Sequence, residues 1–373
     1  MRNENQFNDV IVVGAGASGL GVGIVLKKLG IDYVILEKDT IGSSFRRWPK
    51  ETRFISPSFT GNFFKMPDLN AISPETSPAF NLLTEHPSGI EFSQYLEGIE
   101  EYYELNVETR VEVDGVWKEK DLFVVNTSKG EYKSRFVIWA AGEYQYPKRM
   151  AFEGDDLCIH YSEVKSFSDF QGEDSLVIGA YESGFDAAIN LVKLGKKVTL
   201  LDSTEFLELV NSDSSYSLSP YTRDRINEVI GTVMYKKNTR VTRVHWADDV
   251  YTVTTAENKT FTSTQKPINC TGFDSSLSLV KPLFEFKDKY PVLTDFDEST
   301  TTENLFLVGP QVKHSNALFC FIYKYRQRFA IVGERIATLL NISPEVIEKV
   351  VKEHVDYNFY LNDLSCCDNA CAC

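Results

Sequence analysis

The sequence predicts an α/β chain built of two similar modules, the second inserted into the first. Three observations predict it. The run IVVGAGASGL places Gly14, Gly16 and Gly19 after an apolar stretch, and LVIGAYESGF repeats the arrangement 165 positions later with Gly179, Tyr181, Ser183 and Gly184. Each run leads to an acidic residue at the tip of a second apolar stretch, Glu37 in VILEK and Asp202 in VTLLD, both 23 positions after the first glycine. Each is then followed by short alternating runs rich in Val, Thr, Tyr and Phe, closing on small residues, Ala140-Ala141-Gly142 and Cys270-Thr271-Gly272. Repetition of whole modules, rather than of one short motif, marks an internal duplication.

The chemistry of each repeat is that of a Rossmann-like dinucleotide site. Glycines permit a tight turn and close backbone approach to a pyrophosphate, and the N-terminus of the following helix favours its charge. The carboxylate at the second strand's tip is placed to accept hydrogen bonds from ribose hydroxyls. One such motif is weak; strand, glycines, helix and acid in order, twice, is specific. Two sites in one chain imply a flavin adenine dinucleotide and a nicotinamide dinucleotide that must meet.

In chain order, residues 1–40 give strand, helix and second strand. The Ser-, Pro- and aromatic-rich run from Ile41 to Asp68 reads as a loop at the C-terminal end of the parallel strands, where ligands bind in such sheets. Residues 91–104 carry Phe92, Tyr95, Leu96, Ile99, Tyr102 and Tyr103 at helical spacing, a packing stripe. A three-stranded meander follows in each module, signalled by Asp-Gly, Lys-Gly, Asp-Asp and Glu-Asn turns. The flavin module is therefore expected to be discontinuous, residues 1–150 with 268–373, and the nicotinamide module to be residues 151–267. A last helix is expected to end near Tyr360, leaving 362–373 as a Cys-rich tail.

On these residues the chain resembles the two-dinucleotide-binding-domain flavoproteins, and within them the flavin-containing monooxygenase-like branch. The resemblance implies FAD contacts from Gly14, Gly16, Ala17, Ser18, Gly19, Glu37, Lys38, Trp48, Ala141, Gly142 and Gly309, and NAD(P)H contacts from Gly179, Tyr181, Ser183, Gly184 and Asp202. It implies hydride transfer from NAD(P)H to flavin, then oxygen activation on a small-molecule substrate. Thr60, Asn62, Lys65, Pro67 and Asp68 resemble the family's Thr-Asn…Lys…Pro-Asp with Gly61 inserted. Asn62 is the catalytic candidate, and Gly61-Asn62 reads equally as a turn. Phe152, Gly154 and His160 approximate a Phe-x-Gly-x3-His signature, with five residues before the histidine. Where relatives place Gly-Asp, this chain has Gly309-Pro310, so a carboxylate contact to the ribityl chain is lost. The run from Phe321 is expected to aim its positive helix end at the flavin pyrimidine. Ser203, Thr204 and Glu205 after Asp202 favour NADH, while Lys196, Lys197, Arg223 and Arg225 leave a 2′-phosphate site open.

Composition narrows the classes further. A net charge of −14 implies no basic surface for a nucleic-acid backbone. No run of ~18 apolar residues predicts a membrane span, and no basic, apolar leader predicts a signal peptide, so a cytoplasmic setting is expected. Cys158, Cys270 and Cys320 stand in apolar surroundings as packing residues. With no Cys-x-x-Cys in the body, a reductase using an internal dithiol is disfavoured. Cys366, Cys367, Cys371 and Cys373 crowd the tail, where four thiolates either hold a soft metal or metalloid or have no role. Two alternatives stand beside the monooxygenase. One is a flavin reductase of a thiol, disulfide or metal-bearing substrate using the tail cysteines, the other a non-enzymatic nucleotide-sensing partner of a transport system.

Overall fold

A computed structural model describes residues 6–61, 64–211 and 213–365. The first module opens with β1 (Gln6–Val13), α1 (Ala17–Lys28) and β2 (Tyr33–Glu37), then after the long loop and the helix Gly89–Tyr103 adds β3 (Val107–Thr109). A meander of β4 (Val113–Glu119), β5 (Leu122–Thr127) and β6 (Gly130–Trp139) follows. The sheet order is β3-β2-β1-β6-β5-β4, with the late strand Leu305–Leu307 on the other side of β6. Val10, Ile11, Val12 and Val13 are buried because α1 and neighbouring elements cover both sheet faces, the setting that demands continuous apolar strands. The helix Gly89–Tyr103 starts with a Ser88–Glu91 capping box and buries Phe92, Tyr95, Leu96 and Ile99, whereas Tyr102 faces solvent.

The second module repeats the plan. It comprises β7 (Ile159–His160), β8 (Asp174–Ile178), the helix Glu182–Lys193, β9 (Lys197–Leu201), the helix Pro220–Val229 and β10 (Val233–Lys236). A meander of β11 (Val241–Ala247), β12 (Val250–Thr255) and β13 (Thr260–Ser263) precedes β14 (Ile268–Asn269). The parallel sheet runs β10-β9-β8-β14-β7, and β11-β12-β13 form a separate sheet. In the first module one ten-residue strand, β6, serves both the meander and the parallel sheet. In the second, those tasks fall to β13 and β14, split at Pro267, which has no N–H for a ladder.

The return to the first module, expected at 268, comes later, because β14 still pairs with β8 and β7. The two crossing segments run side by side: Lys148 N donates to Gly272 O (3.1 Å) and Asp274 N to Tyr146 O (2.7 Å). The last helix of the described residues is Pro344–Asp356, ending earlier than Tyr360. Among the described residues no helix is long and apolar enough to cross a membrane.

Candidate active site

The two glycine turns are built alike, atom for atom. Gly14 N donates to Leu36 O (2.8 Å) and Ala140 N to Val13 O (2.9 Å); in the second module Gly179 N donates to Leu201 O (2.9 Å) and Cys270 N to Ile178 O (2.8 Å). Gly14 and Gly179 hold φ of +104° and +95°, which side chains rarely adopt. A Cβ on Gly19 would stand 1.8 Å from Gly14 O, and one on Gly184 2.0 Å from Gly179 O. These pairs let each helix start tight against its strand, with Gly16 and Tyr181 as N-caps that lend no side-chain bond to the helix N–H groups.

The mouths of the turns differ. A Cβ on Gly16 would meet nothing within 4 Å, so the first turn opens onto free space. Ala17 and Ser18 line that space with Lys38, Trp48, Ala141 and Gly142. Glu37 also lines it, fixed by bonds from Ala15 N (2.8 Å) and Asp39 N (2.9 Å). Gly309 takes φ of +113° against Ser18, where a Cβ would lie 2.7 Å from the hydroxyl. Open cradle, uncapped helix start and fixed carboxylate fit the pyrophosphate and ribose of FAD.

At the second turn Tyr181 replaces the middle glycine. Its ring packs on Phe206 (4.9 Å between centroids) and its hydroxyl donates to Ser217 O (3.0 Å). Glu182 turns back to accept from Ser219 N (2.6 Å) and Thr222 Oγ1 (2.5 Å). Burial raises its pKa, and those bonds partly offset the rise. Asp202 does not face the cleft. It is fully buried and accepts from Thr204 N (2.8 Å), Thr204 Oγ1 (3.0 Å), Phe206 N (3.0 Å) and Tyr235 OH (2.5 Å), so in this arrangement it holds its own loop rather than a ribose. The four basic candidates are engaged elsewhere: Lys196 with Gly172 O, Lys197 with Glu173, Arg223 with Leu207 O, and Arg225 with Asp186. The cradle nonetheless keeps its turn, its uncapped helix start and the unpartnered, buried Thr271 Oγ1 at the end of β14, donors that suit a nicotinamide dinucleotide.

Both turns open on one cleft of about 510 Å³ between the modules. Phe45, Trp48 and Phe54 form an aromatic wall on the first module's side, with Phe45–Trp48 centroids 5.3 Å apart. Tyr181, Ser183 and Asp186 line it from the second module, and Gly142, Glu143, Pro310, Cys320 and Phe321 also line it. The helical run expected after Gly309 starts at this lining, as Ile322–Tyr325 continuing through Arg326–Arg328 into Phe329–Leu339. Asp186 ties the modules together beside the cleft, accepting from Thr52 Oγ1 (2.8 Å), Tyr161 OH (2.8 Å) and Arg225 Nη1 (2.9 Å).

One candidate falls outside the cleft. His160 is buried at the crossing, with Nε2 2.9 Å from Gly272 O and Nδ1 2.9 Å from Ser162 Oγ, a structural post. Asn62 and the tail cysteines Cys366, Cys367, Cys371 and Cys373 lie outside the described residues. Cys158 and Cys270 are buried as expected, but Cys320 is half-buried and faces the cleft, which corrects its reading as a packing residue. Glu143 was also missed; its place just after the strand-closing Gly142 was the available signal.

The chain belongs to the pyridine nucleotide-disulphide oxidoreductase family, whose signature matches residues 11–309. The expected kinship with two-domain flavoproteins that use FAD and NAD(P) therefore holds. It is 29% identical over 191 residues to bacilliredoxin reductase Bdr of Bacillus subtilis, covering 51% of this chain and 56% of that protein. It is 27% identical over 210 residues to a probable indole-3-pyruvate monooxygenase of Arabidopsis thaliana, covering 52% and 46%. The chain thus spans about half the length of these curated relatives. The solved bacillithiol disulfide reductase Bdr from Staphylococcus aureus shares the fold, with a TM-score of 0.73 at 22% identity over 90% of this chain and 99% of that one.

Proposed function

We propose that the protein is an FAD-dependent reductase that draws electrons from NAD(P)H and passes them to a small disulfide. The observation that carries this reading is the one cleft onto which both glycine turns open, with a thiol, Cys320, in its lining. FAD bound there supplies a two-electron acceptor and donor between nicotinamide and substrate. The residues do the positioning. The Gly14–Gly19 turn and α1 hold the pyrophosphate, Glu37 fixes the ribose, and the Phe45–Trp48–Phe54 wall excludes water from the ring system. Tyr181 and Ser183 present the second module's dinucleotide across the gap. The match to bacilliredoxin reductase supports a reductase over an oxygenase.

The aromatic wall favours a second reading, the monooxygenase, since a dry pocket protects an oxygen adduct and a relative carries that description. One experiment separates them: NAD(P)H oxidation by the flavin-loaded protein, followed with a small disulfide under nitrogen and with oxygen alone. Disulfide-dependent oxidation under nitrogen supports the reductase; oxygen consumption without disulfide reduction supports the monooxygenase. The tail cysteines are a further carrier candidate. A chain stopped after Leu364 is expected to lose soft-metal affinity if they act as one, and unchanged affinity and turnover remove them from the mechanism.

A further inference from the structure

The second cradle is satisfied by bonds to its own module, and the segment that satisfies it is fastened to the other. Tyr181 stands where Gly16 leaves open space in the first turn; its hydroxyl donates to Ser217 O (3.0 Å) and its ring packs on Phe206. Glu182, the first residue of the following helix, accepts from Ser219 N (2.6 Å), Ser219 Oγ (3.3 Å) and Thr222 Oγ1 (2.5 Å). Asp202 accepts from Thr204 N and Phe206 N. The turn, the helix start and the second strand's tip are the three places where such a site meets its ligand. Here each is engaged by residues 204–206 or 217–222. Beside the same turn, Thr271 Oγ1 is buried without a hydrogen-bond partner, a polar group left for something else to meet.

The residues just before Ser217 reach across to the first module. Asp213 pairs with Lys324 (2.5 Å), and Ser214 Oγ lies 2.6 Å from Tyr323 OH. Ser215 Oγ donates to Leu318 O (3.3 Å) and Tyr216 OH to Asn316 O (2.9 Å). Four consecutive side chains thus hold the first module, and Ser217 and Ser219 hold the cradle. The contacts are unequal. Asp213 and Lys324 are both buried, and a buried charge parted from its partner is costly, so that pair stays only while the contact is sealed. Tyr216 is 37% exposed and adds a single hydrogen bond.

We propose that Asp213–Ser219 is an autoinhibitory strap that keeps the second cradle shut, and that a nicotinamide dinucleotide binds there by freeing Tyr181 and parting the strap from the first module. The proposal rests on the reading above that this cradle takes NAD(P)H. A ligand that binds only the open form is weakened by the fraction of chains that are closed, and loosening the closure restores the lost affinity. Asp213 and Tyr216 therefore control nucleotide affinity through contacts with the first module rather than with the nucleotide. Opening also takes the acid away from Lys324, on the helical run that starts at the cleft lining. The first module thereby registers whether the second cradle is filled.

The test uses the full flavin-loaded chain with NAD+ and NADP+ as probes, read by titration calorimetry and by amide hydrogen exchange over residues 213–219. Saturation with the preferred nucleotide is expected to speed exchange in that segment. D213N is expected to bind it about tenfold more tightly. Y216F, which removes only the bond to Asn316 O, is expected to bind it about threefold more tightly. Both should keep the wild-type flavin content. Damage to the cradle would weaken binding, so the sign separates a released strap from a broken site. Equal or weaker binding by the variants, or exchange that slows over 213–219 on saturation, overturns the strap and leaves the nicotinamide reading standing. Binding of neither nucleotide by the wild-type protein or by either variant overturns both. If D213N does not fold, Y216F and the exchange of the wild-type protein decide.

Discussion

The two modules share one turn and differ at its mouth. Leu36 O, Ala140 and Gly14 O in the first have their counterparts in Leu201 O, Cys270 and Gly179 O in the second, with matching bonds to within about 0.1 Å. Yet the first mouth is open at Gly16, with Glu37 on the cleft, while the second carries Tyr181 and has withdrawn Asp202 into its own loop. What duplication preserves is the backbone geometry that no other residue satisfies. What it lets drift is the side-chain chemistry at the rim, and that rim decides how a cofactor is held.

Four perturbations sharpen the comparison. Gly19→Val and Gly184→Val should be equally severe, because each puts a side chain against a carbonyl; roughly 3 kcal/mol or more is expected for each, read by chemical denaturation and soluble yield. A tolerant Gly184 would mean the second turn is no longer needed. Asp202→Ala should cost about 2–4 kcal/mol, since it leaves Thr204 N, Phe206 N and Tyr235 OH without their acceptor. Its preference between NADH and NADPH should not move, because this carboxylate faces its loop; stopped-flow flavin reduction with each donor checks that. Gly16→Val should cost only about 1 kcal/mol as a poorer N-cap, yet purify colourless, because its side chain fills the space the pyrophosphate needs. Full flavin content in that variant would remove FAD from the first cradle.

The smallest effect concerns pH. Glu51 accepts from Phe167 N (3.0 Å) and Ser166 across the module boundary, and Asp213 pairs with Lys324 across it. Burial pushes both carboxyls up, but these partners outweigh it and hold both pKa values below the ordinary 4.5 and 3.8. Each therefore contributes stability that is present above the unfolded value and lost as pH falls through the lower folded one. The contact between modules should loosen below about pH 4, seen as faster proteolysis of the crossing segments near Lys148 and Asp274. E51Q and D213N should make that loosening less dependent on pH. Unchanged proteolysis of the wild-type protein from pH 6 to 3 would contradict it.

Much of the fold was legible because its signals are local. Strand apolarity, the glycine spacing and the acid at the second strand's tip all follow from backbone constraints within 25 or so residues. The meanders were legible from their turns, and the exact crossing was not, because nothing in QKPINCTG says which sheet Ile268 joins. The open first turn, with Glu37 beside it, was equally readable. The opposite rim was not: that Asp202 would be captured by Tyr235, 33 positions away, depends on β9 and β10 pairing. Cys320 was read as packing because Phe319 and Phe321 flank it, and Ser215, which its thiol meets, lies more than a hundred positions back.

The open cradle is proposed to hold a flavin that the second module's nicotinamide reduces within one cleft. Its most direct test is the visible spectrum of the purified protein before and after anaerobic addition of NADH or NADPH. A bound-flavin spectrum is expected that bleaches with at least one donor, NADH serving as well as NADPH. A flavin spectrum left unchanged by both nicotinamides would contradict it.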